Sequence, residues 1–343
     1  MSIGLAIIAV GAVIFIPAAN ERNFSIFLIG LFVQGMGMSL MQTAVNPYVT
    51  ILGPIESAAK RISIMGICNK VAGALGPLIL GSIVLKGIDQ IQASLVTMNE
   101  AEKVAQLNSL AERVINPYLI MSIGLIILAV FVRFSPLPEI DTPEDEPVTP
   151  GGSARKSIFD FPHLFLGVFA LFLYVGAEVI AGDTIIAYGQ ALNIPMDNAK
   201  FFTSLTLICM VLGYLLGIAL IPKYMKQEAA LRFSAILGVI LTFAIIFTDG
   251  YVSVVCVALL GLANAIVWPA IWPLALNKVG SFTKTASALL IMAIAGGAIL
   301  PLIYGWIADV TGSSKQAYWI LLPCYAFILY YAAAGYKAGL NKK

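Results

Sequence analysis

Long uninterrupted apolar runs alternate along this chain with short polar connections. Ten runs can be delimited, at 2–19, 24–50, 62–86, 116–134, 162–190, 199–222, 232–248, 251–276, 285–309 and 316–336. Most are close to the 20 or so residues that a helix needs to cross a bilayer. None alternates apolar and polar residues singly, as barrel strands do. The pattern therefore predicts an all-α polytopic membrane protein of about ten spans. Two connections are longer than the rest. Residues 87–115 predict an outer loop with a short helix from Thr97 to Arg113. Residues 135–161 are rich in Pro, Gly and acids and predict a flexible cytoplasmic linker. The linker divides the chain into a four-span bundle, 1–134, and a six-span bundle, 162–343.

Polar residues inside the runs are the next signal, because an amide or charge facing hydrocarbon without a partner costs several kcal/mol. At helical spacing Gln34, Met38, Gln42 and Asn46 share one face, which must point into a bundle or a watery cavity. Pro47 follows, and a helix carrying it is built to bend or to present backbone. The same face also serves as helix–helix glue in the plainer reading. Glu178 lies mid-run, where an ionisable group costs roughly 2.5 to 3.5 kcal/mol and is functional by default. The choices for it are a cavity carboxylate binding substrate or ion, a buried pair, or a protonated structural acid. Tyr174 and Gly182 share its face, and Asp183 sits towards the rim. Asn264, Trp268 and Trp272 recur every four residues and face one way. Indole faces suit the C–H patches of a sugar ring, and amides suit its hydroxyls; a plain interhelical aromatic contact is the other reading. Asn69 is expected in the cavity, while Lys70 is expected to snorkel to the cytoplasmic interface. Gly73 with Gly76, Gly213 with Gly217, and Gly296 with Gly297 predict close helix contacts.

The chain also repeats itself. A shift of 226 residues sets Gly35 on Gly261, Gln42 on Trp268, Asn46 on Trp272 and Pro47 on Pro273. A shift of 224 sets Gly73 on Gly297, Pro77 on Pro301 and Gly81 on Gly305. Two parallel copies of one bundle follow. The first two spans after the linker have no partners before it, so a twelve-span plan lacking its first two helices is expected.

Composition agrees: 60% of residues are hydrophobic and 11% charged, and the mean hydropathy is +0.93, outside the range of soluble domains. The net charge of +2 is spread over short loops and gives no reason to expect nucleic acid. Placing Met1 in the cytoplasm puts thirteen Lys and Arg inside and six outside, the bias expected for two cytoplasmic termini. Cys68, Cys209, Cys256 and Cys324 lie within apolar runs and read as small packing residues. His163 is the only histidine, so it has no histidine partner for a metal site, and it is expected at the membrane interface. No phosphate-binding loop is present, which excludes an ATP-driven pump in this chain.

Several motifs together resemble one branch of the major facilitator superfamily. They are Gln42-Thr-Ala-Val-Asn46-Pro47-Tyr48 with Leu-Gly-Pro at 52–54, Asn69 after Arg61-Ile-Ser, Phe-Leu-Tyr-Val-Gly-Ala-Glu178, and Trp-Pro-Ala-Ile-Trp-Pro-Leu-Ala-Leu at 268–276. They are similar to the fucose permease and glucose/galactose transporter family. The resemblance implies the major facilitator fold, a site near the bilayer midplane between the halves, and cation-coupled uptake of a sugar. It implies no enzyme activity, no cofactor beyond H+ or Na+ as coupling ion, and a bacterial inner-membrane protein, expected as a monomer. Gln42, Asn46, Asn69, Tyr174, Glu178, Asn264, Trp268 and Trp272 are the expected substrate residues, with Glu178 the candidate for the coupling ion. The family's fucose-permease branch has a carboxylate where Gln42 stands, and an amide releases no proton. Glu178 is thus the acid left for coupling, and sodium is equally open. The competing readings are a non-transporting remnant and a carrier of another small solute.

Overall fold

The computed structural model describes residues 1–84, 98–135, 157–199 and 201–340. Helices account for almost all of them. They are α1 (Ser2–Asn20), α2 (Phe24–Ile51), α3 (Ala58–Val84), α4 (Glu100–Phe134), α5 (Pro162–Asp183), α6 (Ile185–Ala191), α7 (Phe202–Leu220), α8 (Gln227–Phe247), α9 (Gly250–Asn264), α10 (Val267–Ala275), α11 (Thr283–Met292), α12 (Gly296–Thr311) and α13 (Leu321–Ala333). Nine spans among the described residues are long and apolar enough to cross a membrane. The run at 62–86 folds as α3, which ends at the border of the described residues. Residues 136–156 of the linker expected at 135–161, and 87–97 of the loop expected at 87–115, lie outside them.

The chain packs as two units, Met1–Val45 with Ala72–Ile140, and Asn46–Val71 with Asp141–Lys343. In the first, α1 lies along α4. The Ser2 hydroxyl donates to the Ala129 carbonyl at 2.7 Å and the Ser122 hydroxyl to the Ala9 carbonyl at 3.1 Å. On its other side α1 touches α2 backbone to backbone: a Cβ on Gly37 would stand 2.7 Å from the Ile8 nitrogen, and one on Gly11 would stand 2.6 Å from Gln34 Cγ. Gln34 is therefore helix-packing glue, one of the two readings open for that face.

The short helix expected at Thr97–Arg113 is corrected here. It is the first third of α4, a single helix of 35 residues. Asn99 starts it with a capping box: its side chain accepts from the Glu102 amide at 2.9 Å, and the Glu102 carboxylate accepts from the Asn99 amide at 3.0 Å. Pro117 removes one ladder bond, but no glycine or other stop accompanies it, so the helix continues.

In the second unit α5 is central, burying Leu164, Leu171, Tyr174, Ala177 and Ala181. The 251–276 run does not form one helix. It breaks at Ala265 and Ile266, between α9 and α10. Pro269 has no N–H for the Ala265 carbonyl, and Pro273 none for that of Pro269, so the ladder is weakened on both sides of Trp268. The break docks on glycines of α7. A Cβ on Gly213 would reach Ala265 Cβ at 2.5 Å, and one on Gly217 would collide with the end of Ile266. The 285–309 run is likewise interrupted by a 3₁₀ turn at Ala293–Ala295. His163 is fully buried and its Nε2 lies 2.9 Å from the Asn277 carbonyl. The start of α5 is covered by the turn that follows α10.

The end of α2 is closed by a side chain. Helix ends leave four carbonyls unsatisfied, and Arg61 reaches back to them from α3. Its Nε donates to the Val49 carbonyl at 2.9 Å, and Nη2 to those of Thr50 at 2.6 Å and Gly53 at 3.2 Å. Nη1 donates to the Pro54 carbonyl at 3.1 Å and the Ser57 hydroxyl at 2.6 Å. A charged donor at a helix C-terminus also favours the dipole. Arg61→Ala is expected to cost on the order of 2 kcal/mol, read as a lower unfolding temperature of the detergent-solubilised protein. Arg61→Lys should recover less than half of that loss, because a point ammonium cannot reproduce the five-donor fork. An unchanged melting temperature in the alanine variant would show that water caps the helix as well.

Candidate functional site

The predicted site residues of the second unit lie on α2, α3, α5, α9 and α10. Tyr174 and Glu178 follow each other by one helical turn on α5, with Tyr174 enclosed and Glu178 half-buried. The Tyr174 ring lies 6.5 Å from that of Trp268, and Trp268 stacks on Trp272 at 5.5 Å with 23° between their planes. Three aromatic rings thus form a ladder from α5 along α10. Trp272 is fully buried, and its Nε1 has no hydrogen-bond partner among the described residues. Trp268 is the half-exposed rung. Trp268 thus keeps part of its indole exposed, with the buried Trp272 stacked against it.

Asn264 ends α9, one turn before Trp268. Its Oδ1 accepts from the Tyr325 hydroxyl at 2.9 Å, and its Nδ2 is buried with no partner among the described residues. Tyr325 in turn is seated on Gly238 of α8, where a Cβ would collide with its ring. Sequence reasoning passed over Tyr325. The available signal was a phenol in the middle of an apolar run, whose hydroxyl has to find a buried partner. The amide that it orients keeps a donor directed into the protein interior, and a buried donor of that kind costs about 1 to 3 kcal/mol until it is satisfied.

Glu178 is paired. Lys70 Nζ lies 2.5 Å from Glu178 Oε1, and about a fifth of each side chain is exposed, 20% and 18%. This corrects the snorkelling expected for Lys70, whose ammonium turns to a carboxylate 108 residues further on. Depth along its own helix was a poor guide, because a charge near the bilayer core gains more from an opposite charge than from stretching to the interface. Asn69, its neighbour, is exposed. Asn46 is buried near the end of α2, where the Thr50 hydroxyl donates to its carbonyl at 2.8 Å. Gln42 belongs to the first unit and is half-buried.

A separate cavity of about 480 Å³ lies where α6 meets the end of α12, lined by Tyr188, Leu192, Asp309, Ser313 and Lys315 among others. It contains none of the predicted site residues. Among the described residues no three His, Cys, Asp or Glu stand close enough together to hold a metal ion.

Stacked indoles, an oriented amide and one charge-compensated carboxylate thus lie within membrane-spanning helices. The fold and these residues define a multi-pass membrane carrier. The family model for the Major Facilitator Superfamily matches residues 1–300, and the chain belongs to that superfamily and to its fucose permease and glucose/galactose transporter branch. A glucose/galactose transporter of Brucella abortus is 33% identical over 98% of this chain and 78% of its own length. The L-fucose-proton symporter of Escherichia coli is 28% identical over 96% of this chain and 76% of its own length. The crystal structure of FucP, a transporter of the superfamily in the outward conformation, superposes with a TM-score of 0.84 at 28% identity, covering 96% of this chain and 81% of that one. The protein is a transporter and not an enzyme.

Proposed function

We propose that this protein takes up a neutral hexose of the glucose, galactose or fucose type by alternating access, driven by H+ or Na+. The bacterial inner membrane is the proposed location, with both termini cytoplasmic and the monomer as the working unit. The observation that carries the reading is the half-exposed Trp268 stacked on a fully buried Trp272, next to Tyr174 and one turn from Asn264. An indole face with an amide beside it matches a ring bearing C–H patches and hydroxyls, and nothing in that cluster calls for a charged solute. The relatives named above, sugar transporters by their descriptions, support the same substrate class. Asn46 and Asn69 are proposed to complete the hydroxyl contacts, and Glu178 to serve as the coupling group.

The test is uptake of labelled galactose by cells producing the protein, challenged with unlabelled glucose, galactose and fucose. Competition by at least one hexose is expected, together with loss of uptake when the cation gradients are collapsed. If no hexose competes, the sugar reading falls and a carrier of another solute takes its place. Uptake that competes but never exceeds equilibrium would retain the sugar and remove the coupling.

A further inference from the structure

Glu178 is the one acid in the middle of a span among the described residues. α2 has no acid at all, and those of α4, α8 and α12 stand in the end portions of their helices, while Asp183 closes α5. This carboxylate already holds a cation. Lys70 Nζ sits on its Oε1 at 2.5 Å, on the oxygen that H+ would have to bond or Na+ to coordinate. Two monovalent cations cannot share one carboxylate at that range in a low-dielectric setting, since like charges about 4 Å apart repel by roughly 4 kcal/mol even at an effective dielectric constant of 20. The pair is not fully enclosed either: about a fifth of each side chain is exposed.

We infer that Lys70 is the resident counter-ion of Glu178, and that a coupling cation reaches the carboxylate only by displacing this ammonium. This inference rests on the proposed role of Glu178 in coupling. In the proton version, Glu178 takes up H+ and becomes a neutral acid, and the ammonium leaves with its charge unchanged. In the sodium version, Na+ takes the place of the ammonium on the carboxylate oxygen. Either way the occupied and empty states differ by the breaking of one bridge between α3 and α5, one helix before the linker and one after it. Lys70 thus sets how tightly the cation binds.

Among the described residues, the other titratable groups that interact with Glu178 are phenols: Tyr174 on its own helix, Tyr214 on α7 and Tyr325 on α13. Phenols ordinarily titrate near pH 10, above the range used below, so they do not imitate the response.

The experiment measures thermal unfolding of the purified full chain in detergent, without sugar, titrated with Na+ against choline and repeated across mildly acidic to mildly alkaline pH. Because sugar is absent, the result is independent of the substrate reading. In Lys70→Gln the cation concentration giving half-maximal stabilisation is expected to fall at least about tenfold, since the competing charge is gone. The effect should vanish in Lys70→Gln/Glu178→Gln, and Lys70→Arg should respond as the unchanged protein does. A response to pH alone identifies the proton, and a response to Na+ identifies sodium; both support the inference. An unaltered cation response in Lys70→Gln overturns it, as does a tightened response that survives in the double variant. If Lys70→Gln and Lys70→Met both fail to fold while the double variant folds, the pair is a structural fastener and the inference is overturned.

Discussion

Glu178→Gln is expected to stop concentrative uptake, the internal level of labelled sugar settling at the external one, while exchange of internal for external sugar continues. Glutamine has nearly the shape of glutamate, so the hydrogen-bonding surface of α5 changes little. What changes is the charge: position 178 no longer carries the carboxylate proposed to bind H+ or Na+, and without ion binding there the proposed coupling is lost. Lys70 then stands without its counter-charge in a partly buried place, a situation that typically costs 3 to 5 kcal/mol when one member of a buried pair is removed. Stability is therefore expected to fall in the single variant together with coupling. Lys70→Gln/Glu178→Gln separates the two effects. It restores neutrality and with it much of the lost stability, but it stays unable to accumulate sugar. Full accumulation by folded Glu178→Gln would mean that this acid is structural and that coupling, if any, runs through other groups. The readout is a transport assay with exchange and net uptake measured side by side, and protein yield as the control.

The span plan was legible because it depends on hydropathy summed over many residues, where single exceptions do not matter. Nine of the ten runs are spans among the described residues, and the tenth is α3. The site was legible in part, and its two failures have one cause. Depth along α3 misplaces Lys70, and the apolar run at 316–336 does not reveal the partner of Tyr325. Each finds its partner across the fold, 108 and 61 residues away, and helical periodicity reports only neighbours three or four residues off. The break between α9 and α10 was missed for a different reason. Pro273 was matched to Pro47 through the repeat, yet Pro269, which falls in the same stretch, has no counterpart: Thr43 stands at the equivalent place. The repeat fixes the course of the chain and not its contacts. Gly73 and Gly297 are aligned by it, but a Cβ on Gly73 meets nothing within 4 Å, while one on Gly297 would stand 3.0 Å from Val175 Cγ1. The surroundings of Gly76 lie outside the described residues.

The same glycine row gives the largest expected effect on folding. Gly296 begins α12 and is pressed against α5, where an added Cβ would overlap the Phe172 carbonyl, with the carbonyl carbon at 2.7 Å and Cα at 3.1 Å. These are backbone atoms in the middle of a helix, so no rotamer change can relieve the clash. Gly176 on α5 answers it, its open side filled by Leu300 of α12. In a membrane, where lipid is as apolar as a side chain, such close contact is a main source of helix association. Gly296→Ala must push α12 off α5, giving up the fit of Leu300 and loosening the helix that carries Tyr174 and Glu178. Overpacking of this kind costs about 1 to 3 kcal/mol where side chains can shift, and the upper end or more is expected here because they cannot. The neighbours supply the scale. Gly297→Ala meets methyl groups of Val175 and Val179 at 3.0 and 3.1 Å and backbone no nearer than the Val175 carbonyl oxygen at 3.8 Å; these valines are stiff at χ1 but can shift by tenths of an ångström, so an intermediate cost is expected. Gly305→Ala meets nothing within 4 Å and should be silent, or slightly stabilising through its better helix propensity. Monodisperse yield and unfolding temperature in detergent are expected to rank Gly305→Ala above Gly297→Ala and Gly296→Ala last by a wide margin. A Gly296→Ala protein as stable as the Gly305→Ala one would mean that α5 and α12 do not lie at this distance.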